Sequence, residues 1–484
     1  MSSLKKKFVL GFIWSFLGQV SYLLIALIAN VFLARLLTPY EFGQVGIVMF
    51  FIVISRVLTE SGLTGALVRK NDATEEDFST VFIFNLFISC FFFILLFFSS
   101  GFISEFYKDE SLQNIIIALS SILIINAFQF IQNAKMVRDM NFKKQALYSF
   151  ISVIISSTIG IVLAYYNYGV WSLVIMQIIN ALILTSLYWV FEGAIKKFIF
   201  SITSFKSLYK FGVNTTFSAI LIAVFDNIYS LILGKYFSIQ NTGLYYQAKK
   251  LQEIPVGVVN STTQGVVFST LSKLQDDKKS FDEFYNKIVV VFTVLVGLIC
   301  LLIFFFAEQA ILILYGEKWL KAVFFMKVLI IASFFFMQEM LNRVLFKVFN
   351  RTDKILFLEI IKKIIQAVTI VIGVVFLDIK ILLYGFLLTS IISYFINYYH
   401  SRLIYNSFSW KEIITTVKVI IIGIGVYFIN EFLSQLLKLD SYNKFYLLPF
   451  LVLIYFVLMK FFRVIDILVE SKVILNQIKK NSNK

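Results

Sequence analysis

Long apolar runs, broken at short intervals by clusters of charge, organise this chain. They fall at about residues 8–34, 42–67, 80–103, 112–134, 146–166, 169–191, 208–233, 243–270, 284–306, 322–346, 355–377, 380–400, 412–433 and 444–462. Each has the roughly 20 predominantly apolar residues that carry a helix across a bilayer. The pattern therefore predicts an all-α polytopic membrane protein with about 14 transmembrane helices. The second and eighth runs are interrupted, by Arg56 and Glu60 in one and by Lys249, Lys250 and Glu253 in the other. Helices that line something polar have this pattern.

Composition agrees with the pattern. Hydrophobic residues fill 59% of the 484 positions, well above the roughly 45 to 50% of a soluble domain. That is about 286 side chains, and at roughly 20 per crossing it leaves almost nothing for a soluble domain. Only three prolines occur, so the runs can be continuous helix. No connecting segment exceeds roughly 20 residues, too few to fold alone. A membrane glycosyltransferase or polymerase with its carboxylates on an external domain is disfavoured, and a soluble enzyme does not fit.

The net charge of +16 is not that of a nucleic-acid binder, whose Lys and Arg cluster on a soluble face. Here most cations sit between the apolar runs. With a cytoplasmic N-terminus, about 27 of them lie on the cytoplasmic side and about 8 on the other, the bias that sets orientation. An even number of spans then puts both termini in the cytoplasm. Lys5, Lys6 and Lys7 mimic the start of a signal peptide, but the apolar run to Leu33 exceeds the roughly 7 to 15 residues of one and reads as an uncleaved first span. Cys90 and Cys300 lie inside apolar runs and read as free thiols behaving as small hydrophobes. The stretch from about Phe461 to Lys480 is amphipathic and basic, as expected of a helix lying on the inner leaflet.

The chain also matches itself at an offset of about 200. Leu33-Ala34-Arg35 aligns with Leu233-Gly234-Lys235, Thr38 with Ser238 and Gly43 with Gly243; further on, Gln129, Asn133, Arg138 and Asn141 align with Gln338, Asn342, Lys347 and Asn350 at an offset of 209. Six spans followed by six in the same orientation form a parallel repeat, as in transporters that rock two halves about a central site. The expected organisation is a six-helix lobe over 1–195, a second over 204–404, two extra helices over 405–463 and the basic tail over 464–484.

Ionisable groups inside spans are costly and usually face a cavity or a partner. Arg56 with Glu60, and Glu339 with Arg343, are four apart and share a helix face; either pair neutralises itself or lines a cavity. The eighth span carries the fullest polar stripe, Tyr246, Lys250, Glu253, Gly257, Asn260 and Gln264, with Lys249 beside it. Ser15, Gln19, Tyr22, Ala26 and Asn30 make a matching stripe in the first span, and Asn214, Ser218, Ile222, Asp226 and Tyr229 a less regular one in the seventh. Such stripes serve close packing as well as cavities. Asp226 has no cation one turn away on its own helix, so either burial raises its pKa, which suits proton or sodium coupling, or it pairs across to Lys249 or Lys250. His400, the only histidine, reads as interfacial. Thr74-Glu75-Glu76-Asp77 reads as a capping box at the start of the third span. With no GxxxxGK[ST] loop, no Ser/His/Asp set and no metal-ligand spacing, neither an enzyme activity nor a cofactor or metal is expected.

The stretch Phe32-Leu33-Ala34-Arg35-Leu36-Leu37-Thr38-Pro39-Tyr40-Glu41-Phe42-Gly43, with Glu60-Ser61-Gly62-Leu63 and the run from Val68 to Asp77, resembles the Wzx polysaccharide flippases, in particular their colanic and teichuronic acid exporter branch. The resemblance implies the multidrug/oligosaccharidyl-lipid/polysaccharide exporter superfamily: two six-helix lobes around a V-shaped cavity, often with two extra helices. It implies translocation of undecaprenyl-diphosphate-linked oligosaccharide across the bacterial cytoplasmic membrane, with membrane lipids, a polymerase and glycosyltransferases as pathway partners and H+ or Na+ as coupling ion. Related murein precursor flippases place arginines midway along the first helix, whereas Arg35 lies at its far end. The expected cavity is lined by the first, second, seventh and eighth spans. Arg56, Lys249, Lys250 and Arg343 are the headgroup cations, Asp226, Glu60, Glu253 and Glu339 the ion-coupling candidates, and Gln19, Tyr22, Asn30, Tyr246, Asn260 and Gln264 the polar lining. The alternative is a multidrug or organic cation antiporter of the same superfamily, which would favour an acidic and aromatic cavity over lysines.

Overall fold

A computed structural model describes residues 2–60, 62–70, 72–193, 198–405, 410–440 and 443–465, except for the side chains of 2–13, 15, 16, 210–215 and 218. Helix dominates and no strand occurs among the described residues. In hydrocarbon each backbone N–H and C=O must be satisfied within its own segment, and the helix does this. Among the described residues, eleven helices are long and apolar enough to cross a membrane, or up to twelve if a bent pair counts as one span. The chain falls into two compact units, Met1–Tyr246 and Gln247–Lys484. That division lies later than the repeat boundary near residue 200.

Unit 1 holds α1 (Ser2–Leu36), α2 (Pro39–Glu60), the short α3 (Leu63–Arg69), α4 (Glu75–Tyr107), α5 (Ser111–Ala127), α6 (Phe130–Arg138), α7 (Phe142–Tyr165), α8 (Val170–Glu192), α9 (Ile202–Tyr236) and the start of α10 (Ile239–Thr262). α9 joins unit 1 because it packs against α2, α3 and α4. Ile47 and Val48 of α2, Leu112, Ile115 and Leu119 of α5 and Val174 of α8 close the core. The fourth apolar run is the bent pair, α5 and α6 meeting at 43°.

Local signals set several boundaries. Thr74 caps α4: its Oγ1 accepts from Asp77 N at 3.3 Å while an Asp77 carboxylate oxygen accepts from Thr74 N at 2.9 Å, the expected reciprocal box. α1 and α9 both run for 35 residues, with their ends 200 positions apart, and α2 and α10 begin 200 apart.

Unit 2 continues α10 into a π turn at Thr263–Val267, then α11 (Phe268–Leu274), α12 (Lys278–Phe305), α13 (Ala307–Leu314), α14 (Ala322–Val348), α15 (Thr352–Val375), α16 (Ile379–Tyr405), α17 (Lys411–Leu436) and α18 (Leu448–Phe461). Pro255 lies inside α10, where it removes one ladder hydrogen bond. α17 and α18 pack on α12 and α14 through Val294, Ile330, Met337, Val419, Val426 and Tyr455, and Tyr455 Oη donates to the Val294 carbonyl at 2.8 Å. The last part of the basic tail, 466–484, lies outside the described residues.

The span count is where the described structure stops short of fourteen. α10 and α15 are helices of 24 residues each but are too charged to count among those eleven. Lys249, Lys250 and Glu253 in one, and Asp353, Lys354, Glu359, Lys362 and Lys363 in the other, account for that.

Candidate functional site

Charges buried in unit 2 join three helices. Glu339 and Arg343 are four apart on α14, and Glu359 and Lys362 three apart on α15, so each pair projects from one face. Arg343 Nη2 donates to Glu339 Oε1 at 2.7 Å and to Glu359 Oε1 at 2.6 Å. Lys362 Nζ donates to the same two oxygens, at 2.7 and 2.6 Å. Asn397 of α16 donates to Glu339 Oε1 at 2.8 Å. Glu339 and Lys362 are 3% and 4% exposed, whereas the Arg343 side chain retains 23%. Two cations and two carboxylates cancel, which makes burial tolerable; removing one member of such a set strands its partners.

Close helix contact holds the network in place. A Cβ on Gly373 of α15 would lie 2.6 Å from Leu382 Cα of α16, and the Thr369 and Thr389 hydroxyls are 3.1 Å apart across the same pair. Small residues let membrane helices approach this way. One turn beyond Arg343, Lys347 Nζ donates to Gln264 Oε1 at 2.5 Å, and Gln264 belongs to the π turn.

A second buried network joins α16 to α17. Arg402 and Glu412, 3% and 2% exposed, form an ion pair. Arg402 Nη2 donates to Tyr285 Oη at 3.0 Å, and Asn342 and Tyr394 donate to Glu412 Oε1 at 2.6 and 3.3 Å. Glu412 sits in the first turn of α17, where the helix dipole favours an anion.

Unit 1 buries a carboxylate between α4 and α5. Asp109 Oδ2 accepts from Tyr40 Oη at 2.8 Å and Gln44 Nε2 at 2.7 Å, and Oδ1 from Ser111 N at 3.0 Å. Burial pushes this carboxyl up, but the hydrogen bonds from Ser111, Gln44 and Tyr40 outweigh it and hold the pKa below its ordinary value.

The residues singled out from sequence fare unevenly. Glu339 and Arg343 do pair, within a larger set. Among the described residues no ion pair joins Arg56 to Glu60: Arg56 is exposed, and Glu60 is the last residue of α2, just before the positive-φ turn at Gly62. Asp226 is exposed on α9; the packed side of that helix is carried by Ala223, Tyr229 and Leu233. Lys249 Nζ lies 3.7 Å from a Glu253 carboxylate oxygen. Lys249 and Lys250 are half-buried and Glu253 is exposed. Along the same stripe, Tyr246 and Gln264 are half-buried and Asn260 exposed; in the first span Gln19 is exposed, Tyr22 half-buried and Asn30 buried. The side chains of Ser15, Asn214 and Ser218 lie outside the described residues.

Sequence reasoning missed Glu359, Lys362, Glu412 and Asp109, and counted Arg402 among loop cations. A Glu and a Lys three apart inside the eleventh apolar run was a usable signal for the first two. For the Arg402–Glu412 pair, the signal was two opposite charges facing each other across a helix hairpin.

The arrangement of helices is shared with solved polytopic membrane proteins. The solved structure "Lipid II flippase MurJ, inward closed conformation" matches with a TM-score of 0.73 at 16% identity, covering 94% of this chain and 99% of that one. The profile of the family described as polysaccharide biosynthesis protein matches residues 32–324, and this chain belongs to that family. The match begins at Phe32, where the recognised motif begins. The chain is 27% identical over 310 residues to the "Succinoglycan biosynthesis transport protein ExoT" of Rhizobium meliloti (strain 1021), covering 64% of this chain and 63% of that one. It is 24% identical over 342 residues to the "Teichuronic acid biosynthesis protein TuaB" of Bacillus subtilis (strain 168), covering 69% of each.

Proposed function

We propose that this chain is a flippase carrying undecaprenyl-diphosphate-linked oligosaccharide units across the bacterial cytoplasmic membrane by alternating access, for assembly of a surface polysaccharide. The observation that carries this reading is the set of cations on membrane-length helices, Arg343 and Lys347 above all, in a chain whose family and relatives concern polysaccharide biosynthesis. A lipid-linked diphosphate needs such cations: Arg grips phosphoryl oxygens bidentately and Lys supplies a point charge.

In this reading α10 and α15 cross the membrane with the twelve spans already described, giving fourteen, and both termini are cytoplasmic. Two six-helix lobes, 1–195 and 204–404, are followed by the extra pair over 405–463 and the tail at 464–484. Arg56, Lys249, Lys250 and Arg343 meet the headgroup. Gln19, Tyr22, Asn30, Tyr246, Asn260 and Gln264 supply polar lining, and Glu60, Asp226, Glu253 and Glu339 are candidates for binding H+ or Na+. Each charge moved through the membrane field contributes about 2.3 kcal/mol per 100 mV, enough to bias a transport cycle. The polymerase and glycosyltransferases of the same pathway are the expected partners.

Complementation tests the reading. In a host deleted for the gene, the wild-type chain should restore surface polysaccharide, and a Lys249→Glu/Lys250→Glu variant with normal membrane levels should not. Full polymer from that variant removes those lysines from the site. Unaltered polymer in the deletion strain, with increased drug sensitivity, would favour the antiporter instead.

A further inference from the structure

α1 and α7 pack against each other within unit 1, tightly at one end and loosely at the other. A Cβ on Gly18 would collide with Ala146 Cβ and lie 3.1 Å from Ala146 Cα. Roughly four turns further along both helices, a cavity of about 520 Å3 separates them. Phe32 of α1 and Ile161 and Val162 of α7 line its inner part, and Arg35, Leu36, Tyr165 and Tyr166 lie at the helix ends. Phe32, Arg35, Leu36, Val162 and both tyrosines are exposed, so the cavity is a groove open to the surroundings of the helix pair. Water does not suit a groove this apolar, because a held water needs several polar partners.

We propose that this groove binds one anionic phospholipid of the surrounding membrane, phosphatidylglycerol, with an acyl chain against Phe32, Leu36, Ile161 and Val162 and the phosphate at Arg35. Depth supports this assignment. The last turns of α1 and α7 are where membrane-length helices leave the hydrocarbon, and Arg and Tyr at such ends sit among the headgroups. The polar groups therefore stand at headgroup level and the apolar ones a turn inside, the order in which a phospholipid presents its phosphate and its chains. Charge selects the headgroup: the phosphodiester of phosphatidylglycerol is uncompensated, whereas phosphatidylcholine carries an ammonium that Arg35 repels. A guanidinium has five N–H donors, so Arg35 can serve a phosphate oxygen alongside its contacts within the protein. The Tyr165 and Tyr166 rings, 5.8 Å apart, bring two hydroxyls that can donate to phosphate or glycerol. The volume is that of a single small-ligand site, ~300–1,000 Å3, and suits one acyl chain better than the long polyprenyl tail of the proposed substrate. A lipid seated there braces α1 on α7 where their own side chains do not meet. The inference stands apart from the transport reading.

A photoactivatable phosphatidylglycerol, with its reactive group on an acyl chain, tests this on the full chain in lipid nanodiscs. Crosslinks should concentrate on residues 32–36 and 161–166, above those on Phe98 and Phe102 of α4, which are 71% and 78% exposed and represent the ordinary lipid-facing surface. Unlabelled phosphatidylglycerol should compete better than phosphatidylcholine. Arg35→Gln should weaken that competition about fivefold, the contribution of one cation near an anionic lipid surface, and leave phosphatidylcholine unchanged. Val162→Trp, which fills the groove and keeps the charge, should lower crosslinking at both segments. Arg35 and Val162 are exposed, so both variants should stay monodisperse. Lys235→Gln, at the position the repeat pairs with Arg35, should change nothing. Crosslinking no denser in the groove than on α4, or equal competition by the two lipids, overturns the site. An equal loss in Lys235→Gln does so as well, because it reduces the effect to general surface charge. Displacement of the probe by undecaprenyl phosphate at lower concentration than by phosphatidylglycerol would give the groove to the lipid carrier and overturn its assignment to a membrane phospholipid.

Discussion

A Cβ added to Gly243 would lie 2.9 Å from the backbone nitrogen of Gly43. The crowding is reciprocal: a Cβ on Gly43 would meet the Ile239 carbonyl carbon at 2.8 Å, and one on Gly243 the Pro39 carbonyl carbon at 2.7 Å. Within unit 1, therefore, α2 and the first turns of α10 cross backbone to backbone, and the residues that touch are those the repeat offset of 200 pairs. Neither backbone can yield as a flexible side chain would. Gly43→Ala and Gly243→Ala are each expected to destabilise the protein by at least the ~1–3 kcal/mol of an overpacked site. Gly46→Ala should be milder, because its Cβ would meet Thr242 Cγ2 at 3.2 Å. Thermal unfolding of the purified chain in detergent gives the ranking, and equal midpoints for all three variants would contradict the crossing.

The buried quartet makes a second prediction. Lys362→Met strands Glu339 and Glu359 with Arg343 alone, and Glu359→Gln leaves two cations on one carboxylate. Each should cost about 3–5 kcal/mol. The double variant Glu359→Gln/Lys362→Met restores neutrality and should be less destabilised than the sum of the two. Additive losses in a double-mutant cycle would show that the four groups are not energetically one unit.

Much of this architecture was legible because a bilayer leaves so few options. Apolar length gave the helices, and Thr74 and Asp77 gave the start of α4. Positions within the membrane were less legible, because a charge on an apolar run does not show which way it points. Glu339 and Arg343 could be paired from spacing alone, but their partners Glu359 and Lys362 come from a neighbouring helix, and no periodicity reports that contact. Asp226 is a similar case: nothing in the apolar run around it shows that its side of α9 is exposed.

Asp109 sets a pH dependence. Its carboxyl is held below the ordinary value of 3.8 in the folded protein, so the unfolded chain takes up its proton first as pH falls. The stabilisation is complete above the ordinary value and is lost as pH drops through the lower, folded one. The difference in unfolding midpoint between wild type and Asp109→Asn should therefore be constant near neutrality and shrink as pH falls below about 4. A difference that grows on acidification would reverse the sign and refute the assignment.

Arg402 and Glu412 fasten the last helix pair to the rest of unit 2. Glu412 is reached by Arg402 and Tyr394 from α16, Tyr285 from α12 and Asn342 from α14, so one carboxylate at the start of α17 joins four helices. Arg402→Gln leaves that anion buried without its cation, at a cost of about 3–5 kcal/mol. The damage should be local, because α17 and α18 also hold to α12 and α14 through an apolar core centred on Val294, Val426 and Tyr455. Hydrogen exchange on the purified chain is then expected to speed up first in the N-terminal turns of α17 and the C-terminal turns of α16, with the Val426 and Tyr455 region still protected. Glu412→Gln, which keeps the hydrogen-bond acceptor for Asn342 and Tyr394, should show the same pattern more weakly. Uniform loss of protection across unit 2 in both variants would mean that this pair supports the whole unit and does not act as a local fastening.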